Sequence, residues 1–470
     1  MAENIVKKEK VARQPMPEQE AAVRRRNFEE VPLGYSKETA MLEAGRCLQC
    51  KNPACVTGCP VGVNIPGFIK EVSAGNFNEA IKVIWGKNSL PAVCGRVCPQ
   101  EIQYEGNCVV GKKDKPVAIG NLERFVADTA RTSSGVELPA KAAPTGKKVA
   151  VVGSGPSGLT VAGDLLLKGH DVTLFEAFHK TGGVLVYGIP EFRLPKSIVA
   201  SEVAMLENMG LKIECNMVIG AIVSVDELFS DGYDAVYIGV GAGLPKFLNI
   251  PGEDLIGIYS ANEYLTRANL MKGYLFPKYD TPIIKGKNVV VFGAGNVAMD
   301  WGRTAMRVVA DKVRIVYRRS REEMPARAAE IHHAEEEGIE FYLLTAPARF
   351  IGDENGRLVQ LEGLKMDLGE PDASGRRRPV PIKGSEFIMD CDLAVVSVGA
   401  GPNPLLTQSD KQIALNKWGY ISADPETGKT TKKGVWAGGD IVTGSATVIL
   451  AMGAGRKAAD SIHNYLTWGW

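Results

Sequence analysis

Seven of the nine cysteines lie between positions 47 and 108, and their spacing is the first chemistry the sequence offers. "CLQCKNPACVTGCP" sets Cys47, Cys50, Cys55 and Cys59 ahead of Pro60 as C-x2-C-x4-C-x3-C-P. Iron–sulfur proteins use the related run C-x2-C-x2-C-x3-C-P, whose fourth cysteine serves a second cluster. "CGRVCPQEIQYEGNC" repeats the C-x3-C-P ending at Cys94 and Cys98 and adds Cys108. Two such endings suggest two [4Fe–4S] clusters within an electron hop of each other. Structural zinc is the rival, but it usually takes paired C-x2-C ligands, four to an ion. A single C-x2-C stands here, and seven cysteines divide poorly between two zinc sites. Cys215 in "LKIECNMV" and Cys391 in "FIMDCDLAVV" flank apolar runs and are expected to be buried structural thiols.

Two glycine-rich turns carry a second chemistry. "KKVAVVGSGPSGL" runs an apolar strand into Gly153-Ser-Gly155-Pro-Ser157-Gly158. In such a turn the first glycine permits the tight bend, the second lets a pyrophosphate reach the backbone, and the third allows close helix–strand packing. The phosphates then sit at a helix N-terminus, where free N–H groups and the dipole favour anions. The next strand, "DVTLFE", ends in Glu176, an acceptor for ribose hydroxyls. "KNVVVFGAGNVAMD" repeats the pattern with Gly293, Gly295, Asn296, Val297 and Ala298, but its second strand, "KVRIVYRR", ends in Arg318 and Arg319. Arginines pair with a 2′-phosphate that a carboxylate would repel, so this turn is expected to prefer NADP(H). Arg321 and Arg327 follow as possible helpers, while His332 and His333 read as helix-surface residues. One acidic and one basic dinucleotide turn point to FAD plus NADPH. No Ser-His-Asp set or convergent carboxylate pair competes for the chemistry, which the flavin would carry.

These motifs need elements to hold them. A chain of 470 residues exceeds one hydrophobic core. Residues 1–145 hold the seven cysteines with helix-like stretches between them. "SSGVELPAKAAPTGKK" (133–148) reads as a linker, and from 148 the pattern alternates as βαβ units around parallel sheets. The N-terminal "MAENIVKKEKVARQPMPEQE" reads as a polar, solvated arm, with docking to a partner subunit as the alternative. Lys+Arg (55) and Asp+Glu (54) nearly cancel, which argues against a nucleic-acid binder. No signal-peptide core and no run of about 18 apolar residues is present. A cytoplasmic protein with reduced thiols is expected, without membrane contact.

The order of these parts resembles the glutamate synthase small-subunit family. That family includes the N-terminal part of dihydropyrimidine dehydrogenase and the large subunit of NADH-dependent ferredoxin:NADP oxidoreductase (Nfn). The resemblance runs from about position 25 to the end, through "CLQCKNPACVTGCP", "GRVCPQE", "GSGPSGL", "GGVLVYGIPEFRLP", "GAGNVAMD", "DLAVVSVGAGPNP" and "VWAGGD". It implies an N-terminal helical iron–sulfur domain and two Rossmann-like domains, the NADP domain inserted into the FAD domain. The boundaries would be 1–145, 146–284 (FAD, first part), 285–390 (NADP) and 391–470 (FAD, second part). It implies that Gly183, Leu185, Pro190 and Arg193 touch FAD, with Gly439 and Asp440 at the ribityl–phosphate part. The helix starting near Ala446, Thr447 and Val448 would aim at the isoalloxazine. Cys47, Cys50, Cys55 and Cys108 would hold one cluster. Cys59 and Cys98 belong to the other, for which the family often has a cysteine where Tyr104 stands, and a side-chain amide that aligns with Glu123. Cys94 is placed to supply the missing thiolate, giving Cys59, Cys94, Cys98 and Glu123.

The resulting expectation is an enzyme that converts hydride to single electrons. Because no further catalytic domain is evident up to position 470, the far ends of the electron path are expected in partner chains. Three readings follow. The first is the electron-bifurcating subunit that couples NADPH oxidation to reduction of ferredoxin and NAD, with a small FAD/[2Fe–2S] ferredoxin-NAD reductase-like partner. "EVPLGYSKETAMLEAGRCLQCKNPACVTGCPVGVNIP" and the extra Cys94 lean towards it. The second is a glutamate synthase small subunit feeding a large amidotransferase subunit. The third is a non-catalytic redox or zinc-stabilised binding protein, which the intact phosphate turns and the arginine pair disfavour.

Overall fold

A computed structural model of the chain describes residues 11–133, 136–308 and 310–470. The first ten residues of the N-terminal arm, and 134–135 of the expected linker, lie outside the described residues. Among the described residues no helix is long and apolar enough to cross a membrane.

The cysteine-rich segment is helical. Ile65–Ser73 and Phe77–Trp85 bury Ile65, Phe68, Ile69, Val72 and Phe77, Ala80, Ile81, Ile84, the three-to-four-residue spacing of one helix face. They pack on Ile119–Thr132, which also carries Pro91–Val97, so the cysteines are carried on short helices and the turns between them.

Two parallel sheets follow. The first has the order Val435–Ala437, Ala235–Ile238, Lys148–Val152, Asp171–Glu176, Lys212–Cys215. Its last strand in sequence thus arrives after the whole of the second sheet. The second has the order Ile258–Ser260, Leu393–Val396, Asn288–Phe292, Lys312–Tyr317, Glu340–Leu343. It is wider than the span 285–390, because Ile258–Ser260 and Leu393–Val396 pair into it from outside. The central strands are continuous apolar runs buried on both faces, as in Lys148–Val152 and Asn288–Phe292. An antiparallel excursion, Thr345–Gly352, Leu358–Pro371, Arg377–Pro381 and Phe387–Asp390, extends from the second unit.

The N-terminal arm departs from the solvated tail expected. Arg13 pairs with Glu105 at 2.7 Å, Gln14 N donates to Glu43 at 2.7 Å and Arg46 Nε donates to the Val11 carbonyl at 3.1 Å. Polar residues alone gave no sign of this, because the arm is fixed by charge partners far along the chain. His333 likewise is buried, not on the surface, with Nε2 2.9 Å from Glu18 of the arm; His332 is exposed. Cys391 is buried as expected, whereas Cys215, at the end of an edge strand, is only partly buried.

Candidate functional site

Both glycine turns open on one cleft of about 1860 Å³. That is well above the roughly 300–1,000 Å³ of a single small-molecule pocket and fits two dinucleotides. At the first turn Gly153 has φ +99°, and a Cβ there would meet the Gly239 carbonyl. Pro156 opens the helix Pro156–Leu167 at its first turn, where its missing N–H is not needed. Gly153, Gly155, Ser157 and Glu176 all line the cleft. Gly158 stands behind the wall, where a Cβ would strike the Gly153 carbonyl oxygen. Glu176 also braces the turn: its carboxylate accepts from Ser154 N at 3.0 Å, from Ser154 Oγ and from Phe178 N at 2.8 Å.

On the helix Val184–Tyr187, positions 184 and 187 share the face towards the cleft. Leu185 points the other way and is fully buried in the core; Pro190 is also outside the wall, so the expected contacts fall to Gly183, Val184 and Tyr187. Arg193 does line the cleft, but its guanidinium is engaged. Nη1 lies 2.7 and 2.6 Å from the Asp300 oxygens and Nε 3.3 Å from Glu330. Burial raises the Glu330 carboxyl, yet Arg193 and Arg303 outweigh it and hold it down at about 2. Gly439, Asp440, Ala446, Thr447 and Val448 also line the cleft. Asp440 accepts from Ala446 N at 3.1 Å, and Thr447 caps the helix Val448–Trp468, aiming its N-terminus at the cleft.

At the second turn Gly293 has φ +121°, and Gly293, Gly295, Asn296 and Val297 line the cleft while Ala298 is buried in the core of the second unit. Arg318 and Arg319 are both in the wall. Arg319 is already committed, Nε donating to the Arg377 carbonyl at 2.7 Å and Nη2 to Asp372. Arg318 is exposed and has no partner among the described residues. Neither expected helper lines the cleft: Arg321 pairs with Glu335, and Arg327 with Glu101 and the Arg96 carbonyl. The partners involved are 14 and 226 residues away in sequence, which hides the pairing from local reading.

The cysteines form two groups. Cys47, Cys50, Cys55 and Cys108 line one small apolar hollow with Leu48, Ile65, Val109 and Val117. All four are partly exposed. Cys59, Cys94 and Cys98 are buried, with Glu123 and Tyr104 among them. Burial, then Glu123 and Cys98, push the Cys59 thiol up to about 11; burial pushes Glu123 up to about 7 against a 2.8 Å hydrogen bond from Asn88. None of the nine cysteines is paired in a disulfide. Among the described residues no three His, Cys, Asp or Glu side chains close up around a single ion. Concentrated soft thiols on short helices are the donor set of iron–sulfur clusters.

The second group touches the cleft's far wall. Cys94 Sγ is 3.5 Å from Met452 Sδ, on the helix whose start faces the cleft, and Val97 and Pro99 line the cleft itself. Sequence reading missed Met452 and Asn88, whose residue types carry no motif.

Comparison with known proteins agrees with this division. Residues 24–135 match the family model described as dihydropyrimidine dehydrogenase domain II, 4Fe-4S cluster, and 147–455 that of pyridine nucleotide-disulphide oxidoreductase. The chain is 38% identical over 458 residues to the glutamate synthase [NADPH] small chain of Azospirillum brasilense, covering 96% of this chain and 94% of that one. It is 39% identical over 440 residues to the beta subunit of the NADP(+)-dependent formate dehydrogenase of Moorella thermoacetica, covering 88% of this chain and 60% of that one. Among solved structures, FprA of Mycobacterium tuberculosis in complex with NADPH superposes with a TM-score of 0.57 at 22% identity, over 68% of this chain and 85% of that one, a likeness of fold.

Proposed function

The chain belongs to the glutamate synthase small-chain family of NADP(H)-dependent flavin and iron–sulfur oxidoreductase subunits, and we propose that it passes electrons from a cofactor cleft through two [4Fe–4S] clusters to a partner at its surface. One observation carries this order. The buried cysteine group lies against the cleft, because Val97 and Pro99 on either side of Cys98 line it, whereas the other group is partly exposed. FAD, when bound, supplies the exchange between a hydride and single electrons, which the clusters relay.

The chain's residues do the rest. The turn Gly153–Gly158 and the N-termini of Pro156–Leu167 and Val448–Trp468 hold the FAD phosphates and favour negative charge near the ring. Glu176 takes a ribose hydroxyl, and Asp440 the ribityl part. The turn at Gly293 and Gly295 takes NADP(H), with Arg318 on the 2′-phosphate. Cys47, Cys50, Cys55 and Cys108 hold the outer cluster; Cys59, Cys94, Cys98 and Glu123 hold the inner one. The reading divides the chain into 1–145, a split FAD domain and an inserted NADP domain; the return of Val435–Ala437 to the first sheet supports the split, and Ile258–Ser260 and Leu393–Val396 widen the inserted unit. Exposed Lys51, Lys112, Lys113 and Lys115 lie close in sequence to the outer Cys50 and Cys108 and favour an acidic one-electron carrier of the ferredoxin kind.

The destination proposed is electron bifurcation: NADPH oxidation coupled to reduction of ferredoxin and NAD, with a small FAD/[2Fe–2S] partner. Cys94 beside Cys98, and the exposed lysines that neighbour Cys50 and Cys108 in sequence, support this reading. Similarity along nearly the whole length of a glutamate synthase small chain favours a second, delivery of NADPH electrons to a large amidotransferase subunit. An activity assay separates them. Ferredoxin reduction by NADPH that requires NAD supports the first. Glutamate formation from 2-oxoglutarate and glutamine, once a large subunit is added, replaces it with the second.

A further inference from the structure

Tyr104 is 2% exposed, and its hydroxyl has no hydrogen-bond partner. Leaving a buried hydroxyl unpaired costs about 1–3 kcal/mol, so each such case calls for something to satisfy it. The titratable groups around this phenol are Cys98, Glu123, Glu105 and Cys94. Two of these are already engaged elsewhere: Glu105 with Arg13 at 2.7 Å and with Gly120 N, and Glu123 with Asn88. The hydroxyl is thus left without a protein partner beside the buried Cys94 and Cys98.

We propose that Tyr104 donates a hydrogen bond to the inner cluster, acting as a positioning and tuning residue beside the four ligands Cys59, Cys94, Cys98 and Glu123. The proposal rests on the reading of that group as a cluster site. A phenol is protonated at neutral pH and is therefore a donor, not a competing ligand. The four ligands already supply one donor to each iron of a cubane. A hydrogen bond to cluster sulfur stabilises the reduced, more negative state and so raises the reduction potential. Tyr104 would thus hold the inner cluster at a potential high enough to accept electrons from the cleft.

The test is Tyr104→Phe in the full chain loaded with flavin and clusters. Removing a hydroxyl that the protein itself leaves unpaired does not threaten folding. Iron, sulfide and flavin content are measured first, then each cluster is titrated by EPR. The expected result is unchanged content and a roughly tenfold weaker reduction equilibrium for one cluster only, about 59 mV more negative for one electron. An unmoved potential overturns the proposal. Loss of one cluster's iron also overturns it, since the oxygen would then be a ligand. The underlying reading fails separately. In that case the wild-type protein itself carries iron for one cluster, or Cys59→Ala and Cys98→Ala leave its iron unchanged, and the proposal falls with it.

Discussion

Arg318 and Arg319 are neighbours, yet only one is at liberty to bind a phosphate. Arg319 is tied to the Arg377 carbonyl and to Asp372 on the antiparallel excursion, whereas Arg318 stands exposed in the cleft wall. The perturbation is Arg318→Gln, which removes the charge and keeps much of the length. A hydrogen bond to a charged group contributes about 1.5–3 kcal/mol. At about 1.36 kcal/mol per tenfold, kcat/KM for NADPH should fall about 10- to 150-fold. NADH lacks the 2′-phosphate, so its kcat/KM should move little and the NADPH/NADH preference should collapse. Arg319→Gln should leave that preference largely intact and instead loosen the contact with Asp372. Initial rates of the flavin-loaded protein with an artificial acceptor, run with each nucleotide, read both effects. An unchanged preference in Arg318→Gln, or a collapse confined to Arg319→Gln, would refute the assignment and move the phosphate to the other guanidinium.

Three further outcomes are expected. Glu337 is fully buried and bonded to Arg24, Arg303 and Arg307, so Glu337→Ala leaves buried cations unpaired and should destabilise the second unit by about 3–5 kcal/mol, read by urea unfolding followed with hydrogen exchange. Gly158→Ala forces a methyl onto the Gly153 carbonyl and should abolish most flavin binding, measured as flavin absorbance per chain, with the iron content retained. Glu330 is held at about 2, below its usual 4.5, by Arg193 and Arg303. Its folded form binds protons less readily than the unfolded form, so its contribution is complete above pH 4.5 and is lost as the pH falls through 2. Stability of the second unit measured across that window should therefore drop, and Glu330→Gln should flatten the slope.

Local chemistry was legible and distant pairing was not. The two glycine turns and their strands follow from short runs in which each residue's role depends on its immediate neighbours, whereas the grouping of the cysteines, which joins Cys108 to Cys47, Cys50 and Cys55, rests on the family resemblance. Arg193, Arg319 and Arg327 all lie where sequence reading expected basic groups, but each is bound by a partner that the chain brings back from afar: Asp300, Asp372 and Glu101. His333 was misread for the same reason, because Glu18 of the N-terminal arm covers it. Leu185 failed on a finer point, one helical position separating the cleft face from the core face. The width of the second sheet was hidden because Ile258–Ser260 is only three residues long, too short to show a periodicity.

The strand order has a consequence for how the chain is made. Domains tend to fold as units while synthesis proceeds from the N-terminus. The second sheet is complete once Leu393–Val396 has emerged, but the first lacks its edge strand until Val435–Ala437, and its covering helix until Val448–Trp468. On the ribosome the second unit can close early, while the unit begun first must wait, one edge strand and a covering helix short, for the last tenth or so of the chain. A truncation near the C-terminus would therefore spare the unit in the middle and undo the one that comes before it.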